Sequence, residues 1–170
     1  MDRASNGHPS QWPVGLDGFD CRLLAALQAD GRLSNIALAE RVGLSPSQCA
    51  RRRARLEMGG LIVGYHATVD TARLGLPVVA FVQVTLDRHS PDTARAFRDL
   101  VARTPSILQA YAVTGDADYL LRVAVSDLTA LSTLVNELLF RHPSVTRVRS
   151  LLSLEELKDG GALPIGAVAV

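Results

Sequence analysis

The sequence predicts an α+β chain of two domains, one of three helices followed by a four-stranded one of order βαββαβ. Three observations predict it. Ser34 and Ser45-Pro46 stand at helix-start spacing in the first domain, and residues 78 to 86 alternate with period two. Two later helical stretches then end in one Arg-x-Pro-Ser-aliphatic step, Arg103-Thr104-Pro105-Ser106-Ile107 and Arg141-His142-Pro143-Ser144-Val145. The repeat divides the second domain into similar halves, each a helix followed by a strand.

Residues 1–15 are polar, with Pro9, Pro13 and Gly15, and read as a flexible arm; the only tryptophan, Trp12, either pins it to a partner or stands exposed. Leu16 to Asp30 reads as a first helix capped by Asp17, with Phe19, Leu23, Leu24 and Leu27 on one side. Ser34 caps a second helix whose apolar positions are Ile36, Ala37, Ala39 and Val42. Gly43-Leu44 make a short turn, Ser45 caps a third helix, and Pro46 occupies its first position, where a missing N–H costs nothing. Gly59-Gly60 end that helix, and the β-branched and aromatic content of Leu61 to Val69 predicts a hairpin, or wing.

Residues 66–75 are a linker. Strands are predicted at 76–86, Ile107 to Val113, Tyr119 to Val125 and Val145 to about Leu154, and helices at Asp92 to Arg103 and Leu128 to Phe140. That order describes a ferredoxin-like split βαβ, an antiparallel sheet with both helices on one face. The other face carries Val79 and Phe81, which a homodimer would bury. The domain organisation is thus an arm (1–15), a winged helix-turn-helix (16–65), a linker (66–75), a βαββαβ domain (76–158) and a tail (159–170). The tail segment Ala162 to Val170 is apolar and suits either an additional strand or a subunit contact.

The second and third helices have the punctuation of a helix-turn-helix, and the third is loaded with arginine. Cys49, Arg53 and Leu56 share its inner face, leaving Gln48, Arg51, Arg52 and Arg55 outward. Arginine pairs bidentately with guanine or neutralises phosphate, Gln48 suits adenine, and Ser47 reaches a phosphate or base edge. The candidate DNA-binding residues are therefore Ser34, Asn35, Ser45, Ser47, Gln48, Arg51, Arg52 and Arg55. Arg53, on the apolar face, is expected to lay its stem over the core edge and send its head to a phosphate or carboxylate.

Composition bounds the rest. An apolar share of 48% is enough for packed cores, and a net charge of +1 leaves DNA binding to local concentration of arginine. Cys21 and Cys49 have neither CxxC nor metal-ligand spacing and read as buried thiols of a reducing cytoplasm. No secretory or membrane segment is expected, since the strongest apolar run, Leu76 to Leu86, is too short to span a bilayer. His8, His66, His89 and His142 lie in no nucleophile context, and there is no glycine-rich phosphate loop, so neither catalytic residues, a metal nor a cofactor is expected.

Leu16-Asp17, the run Ser34 to Leu44, Ser45-Pro46 with Cys49, Leu56-Glu57, Gly60, Gly64-Tyr65, Gly115-Asp116-Ala117-Asp118-Tyr119-Leu120 and Glu155-Glu156 before Lys158 carry a resemblance. The chain resembles, over roughly Leu16 to Lys158, the leucine-responsive regulatory protein and asparagine-regulator (Lrp/AsnC, feast/famine) family of prokaryotic transcription factors. The resemblance implies a DNA-binding N-terminal domain and a RAM/ACT-like C-terminal domain that dimerises, assembles further to tetramers or octamers, and binds a small effector, typically an amino acid, between subunits. It maps the recognition helix onto Pro46 to Met58 and the effector loop onto Thr114, Gly115, Asp116, Asp118 and Tyr119. Arg53 departs from the family pattern, which carries an aliphatic residue there.

The chemistry of that loop fits. Gly115 permits positive φ, exposed N–H groups can bind a carboxylate, and Asp116 or Asp118, with Asp118 favoured, can take an α-ammonium group. The same Gly-Asp-x-Asp is also ordinary hairpin chemistry. The expected partners are double-stranded DNA and an amino acid. The rival reading is a stand-alone amino-acid sensor whose helical domain contacts a protein rather than DNA, and binding to DNA that weakens steeply with salt separates the two.

Overall fold

The computed structural model describes residues 15–87 and 91–165. Trp12 and the arm up to residue 14, His89, and tail residues 166–170 lie outside them. The chain divides into two compact units, one made of Met1–Ala67 with Lys158–Val170 and the other of Thr68–Leu157.

The first unit holds α1 (Gly18–Ala29), α2 (Asn35–Val42) and α3 (Pro46–Met58). Each start is set by a side chain. Asp17 accepts the N–H groups of Phe19 and Asp20 at 2.9 Å, and Asp20 accepts the N–H of Asp17 at 3.0 Å, a capping box. Ser34 caps α2 through the Ala37 N–H, and Ser45 forms a second capping box with Gln48 ahead of Pro46. Each cap contributes about 1 kcal/mol. Between α2 and α3, Gly43 takes φ +74°, a left-handed conformation open to glycine at no steric cost.

The faces that pack differ somewhat from the predicted ones. Leu38 is fully buried beside Ala39 and Val42, whereas Ile36 is 64% exposed: at 3.6 residues per turn it points well away from the face that those three share. The core joins these residues to Leu23, Leu24, Leu27, Leu33, Cys49 and Leu56.

No wing forms. Residues Leu61–Val69 carry no strand. The N–H groups of Leu61 and Ile62 both go to the Leu56 carbonyl, closing the end of α3, and the Tyr65 hydroxyl goes to Glu57 at 2.9 Å. The Tyr65 ring sits so close to Gly31 that a Cβ there would meet it at 3.0 Å. The segment is anchored by the Tyr65 side chain, and among the described residues no second strand of the unit pairs with its backbone.

The second unit contains β1 (Val78–Leu86), α4 (Pro91–Ala102), β2 (Ile107–Ala112), β3 (Tyr119–Val125), α5 (Leu128–Thr133) and β4 (Val145–Leu152). The strands make one antiparallel sheet of order β2-β3-β1-β4, the predicted split βαβ. Ala80, Val82, Val84 and Leu86 point to one face and pack with Phe97 of α4 and Leu131 of α5 in a single cluster, so both helices cover that face. The predicted last helix is not uniform: beyond Thr133 it widens into a π-helical segment, Leu134–Leu139, that keeps Leu134 and Leu139 buried. The opposite face leaves Phe81, Tyr111 and Leu151 exposed.

One buried charge ties the first unit together. Asp20 is the only buried charged side chain among the described residues; it accepts from Arg52 Nη1 at 2.8 Å and from Arg55 Nη2. Removing one partner of a buried ion pair is costly because the other charge stays desolvated. Asp20→Ala is therefore expected to lower the stability of this unit by about 3 kcal/mol, read by urea denaturation followed through helical circular dichroism. A loss below about 1 kcal/mol would mean that the carboxylate is dispensable.

Candidate nucleic-acid interface and effector loop

The arginines of α3 serve different ends. Arg51 is exposed and makes no hydrogen bond or ion pair among the described residues. Arg52 is drawn down onto α1, where Nη1 bonds both Asp17 and Asp20 at 2.8 Å, and its side chain is only 20% exposed. Arg55 spans both worlds, with one nitrogen on Asp20 and a side chain 54% exposed. Arg53 behaves as its odd position predicts. Its Nε bonds Glu57 at 3.1 Å, Nη1 bonds the Leu33 carbonyl at 3.2 Å, and its guanidinium lies 4.6 Å over the Tyr65 ring.

The serines and glutamine gather at the start of the helix. Ser45, Ser47 and Gln48 are exposed there, but the Gln48 amide is folded back on Ser45, with Oε1 accepting the Ser45 N–H at 2.9 Å. To meet a base it must give up that bond. Ser34 spends its hydroxyl on the α2 cap, and the Asn35 side-chain oxygen is buried without a partner. Ser45, Ser47, Gln48 and Arg51 thus form one exposed surface, and Arg52 stands apart from it.

The loop expected to hold an effector is the β2–β3 hairpin turn. Gly115 has φ +112°, which a side chain would resist. Thr114, Gly115 and Asp116 are exposed, and the Asp116 carbonyl accepts the Thr85 hydroxyl at 3.3 Å. Asp118 faces inward. Its N–H donates to the Val84 carbonyl at 3.0 Å and its carboxylate accepts the Leu86 N–H at 2.7 Å, so the side chain continues the β1–β3 ladder one step past the end of β3. Tyr119 packs its ring 4.6 Å from Phe97. Beside it a cavity of about 300 Å³ opens between α4 and β2, apolar except for Arg98 at its edge.

Sequence reasoning did not name as candidates Asp20, which pairs with two arginines of α3, or Phe97 and Arg98, which wall the cavity beside Tyr119. The Asp20 signal was present: it stands three residues after the Asp17 cap, on the side of α1 that carries Leu23, Leu24 and Leu27. Arg98 had none, because a cavity wall is assembled by packing.

Comparison with known proteins agrees with this architecture. Residues 16–57 match the AsnC-type helix-turn-helix domain and residues 79–163 the Lrp/AsnC ligand binding domain. The leucine-responsive regulatory protein of Escherichia coli strain K12 is 41% identical over 150 residues, covering 88% of this chain and 92% of its own. A transcriptional regulator of Neisseria meningitidis, solved as a complex with L-Met, superposes with a TM-score of 0.85 at 37% identity, over 89% of this chain and 97% of that one. The leucine response regulatory protein of Mycobacterium tuberculosis gives 0.72 at 32% identity, over 85% and 96%.

The hub at the start of α1 has a pH signature. The Asp17 carboxyl is held below its ordinary value of 3.8, first by the Asp20 N–H and then by Arg52, against the opposing effect of burial. A depressed folded value means stability present in full above the ordinary value and lost as pH falls through the folded one. The stability difference between the native chain and Asp17→Asn is therefore expected to be constant near neutrality and to close as the pH drops below 3.8. Thermal unfolding across an acid series measures it, and a gap unchanged by acid would contradict the assignment.

Proposed function

Because this chain belongs to the Lrp/AsnC family of transcription regulators, we propose that it binds double-stranded DNA through the exposed start of α3 and responds to an amino acid at the β2–β3 loop. The observation that carries the reading is the surface formed by Ser45, Ser47, Gln48 and Arg51 on a helix capped at its N-terminus and held to its core by arginines. A rigid helix presents base-reading side chains at fixed positions, and its N-terminus suits a phosphate. Arg51 reads a base or a phosphate, Arg55 adds a phosphate contact, and Ser34 and Asn35 flank from α2. Arg52, named as a groove residue on sequence grounds, is assigned to the anchoring of α3.

For the effector, the exposed Asp116 takes the α-ammonium group and the N–H groups around Gly115 the carboxylate. The apolar cavity beside Tyr119 points to an apolar side chain, in keeping with the L-Met found in the Neisseria relative. Asp118 holds the loop in place. A second copy of the chain covers the sheet face of Phe81, Tyr111 and Leu151, and dimers assemble further, so that several helix-turn-helix units engage DNA together. No helix of the described residues is long and apolar enough to cross a membrane. It is the kinship with bacterial transcription regulators that supports a cytoplasmic, non-catalytic role.

Two measurements test this. Arg51→Ala is expected to weaken binding to promoter DNA about tenfold, with selective loss at one base pair if a base is read, or a salt dependence shallower by about one ion if only phosphate is touched; unchanged affinity would remove the recognition-helix assignment. In a thermal-shift screen of amino acids, those with apolar side chains are expected to raise the melting temperature and Asp116→Ala to abolish the rise. A rise that survives the substitution would place the ligand elsewhere.

A further inference from the structure

The first unit is built from both ends of the sequence. Gln28, on the last turn of α1, receives the chain as it returns: its Oε1 accepts the Leu163 N–H at 2.7 Å and its Nε2 donates to the Leu163 carbonyl at 3.3 Å. A single side-chain amide thus satisfies both backbone groups of one residue, as a neighbouring strand would. The next step is a tight turn. The Ile165 N–H donates to the Leu163 carbonyl at 2.7 Å across Pro164, whose ring presets the φ that such a three-residue turn needs. The turn sends Ile165 back against the helix-turn-helix core, where it packs as a partly buried residue. Leu163 and Ile165 also wall an apolar cavity of about 380 Å³ with Leu24 and Leu27 of α1, Ile62 and Tyr65.

We propose that Leu163–Ile165 is a reversible clip on the DNA-binding unit, with Gln28 as its catch and Ile165 as its bolt. Its strength differs in kind from that of the Asp20 hub. Both hydrogen bonds join exposed groups, Leu163 is 71% exposed, and a cavity rather than a filled core lies beneath. Elements with few buried contacts open at low free energy while the helices stay folded. The chain passes between the two units at Ala67–Thr68 and again at Leu157–Lys158. With the clip closed, the DNA-binding unit is held by two chain crossings; with it open, only the first restrains it. Residues 153–162 connect the end of β4 to the clip, a route along the chain separate from residues 68–75.

Peptide-level hydrogen exchange on the full chain tests the proposal. Gln28→Ala removes the catch and Ile165→Asp the bolt. Each is expected to speed exchange severalfold in the last turn of α1 and in Leu61–Tyr65, and to leave the amides of β1 to β4 unchanged. Gln28→Glu, which keeps the acceptor for the Leu163 N–H and loses the donor, is expected to fall between the native chain and Gln28→Ala. Exchange unchanged in Gln28→Ala, or raised equally in the sheet, would overturn the clip. Because Gln28 is exposed, its variants remain informative even where Ile165→Asp fails to fold.

Discussion

The helical unit depends on a charge held out of water. Asp20 lies at the point where α1 begins and α3 crosses it, and its carboxylate has three obligations: to the N–H of Asp17, to Arg52 and to Arg55. A lone carboxylate in that position would be strongly destabilising, so the helices must approach closely enough for both guanidiniums to reach it. That requirement fixes where α3 sits along α1 more sharply than the leucines do, because apolar contact tolerates sliding and a paired charge does not. The placement of Arg51 and Ser47 on the outside follows from it.

The same sharing of charge explains why a chain with a net charge of only +1 presents a basic helix. Arg52 and Arg53 are consumed by packing, the first on Asp17 and Asp20, the second on Glu57, the Leu33 carbonyl and Tyr65. Arginine suits this use: its planar fork reaches two acceptors at once and its stem covers apolar surface. The basic surface that α3 leaves for DNA is correspondingly small, resting on Arg51 and the exposed part of Arg55.

Much of this was legible in the sequence. The caps Asp17, Ser34 and Ser45, the alternation of residues 78–86 and the repeated Arg-x-Pro-Ser step specify helix starts, a two-faced strand and the βαββαβ order, because these signals are local. Gly115 is legible for the same reason. Reach was not. Helical periodicity places Arg52 on the outward side, and only the position of Asp20 on a different helix shows that its head turns back. Asp118 likewise reads as a free ligand until the end of β3 leaves the Leu86 N–H in need of an acceptor. The predicted wing failed because composition reports that a segment favours extension, not that a partner strand exists.

The discontinuity of the helical unit bears on how the protein is made. Its three helices are local structures, formed early in the chain, while the sheet must join residues as far apart as Ala80 and Leu152. Synthesis runs from one end to the other, so residues from Lys158 onward emerge only after every strand of the sheet. The unit that begins first is finished last. A ribosome-bound chain therefore displays its helix-turn-helix before the piece that closes over Leu24 and Leu27 has been translated, and a nascent regulator differs from a mature one at that surface.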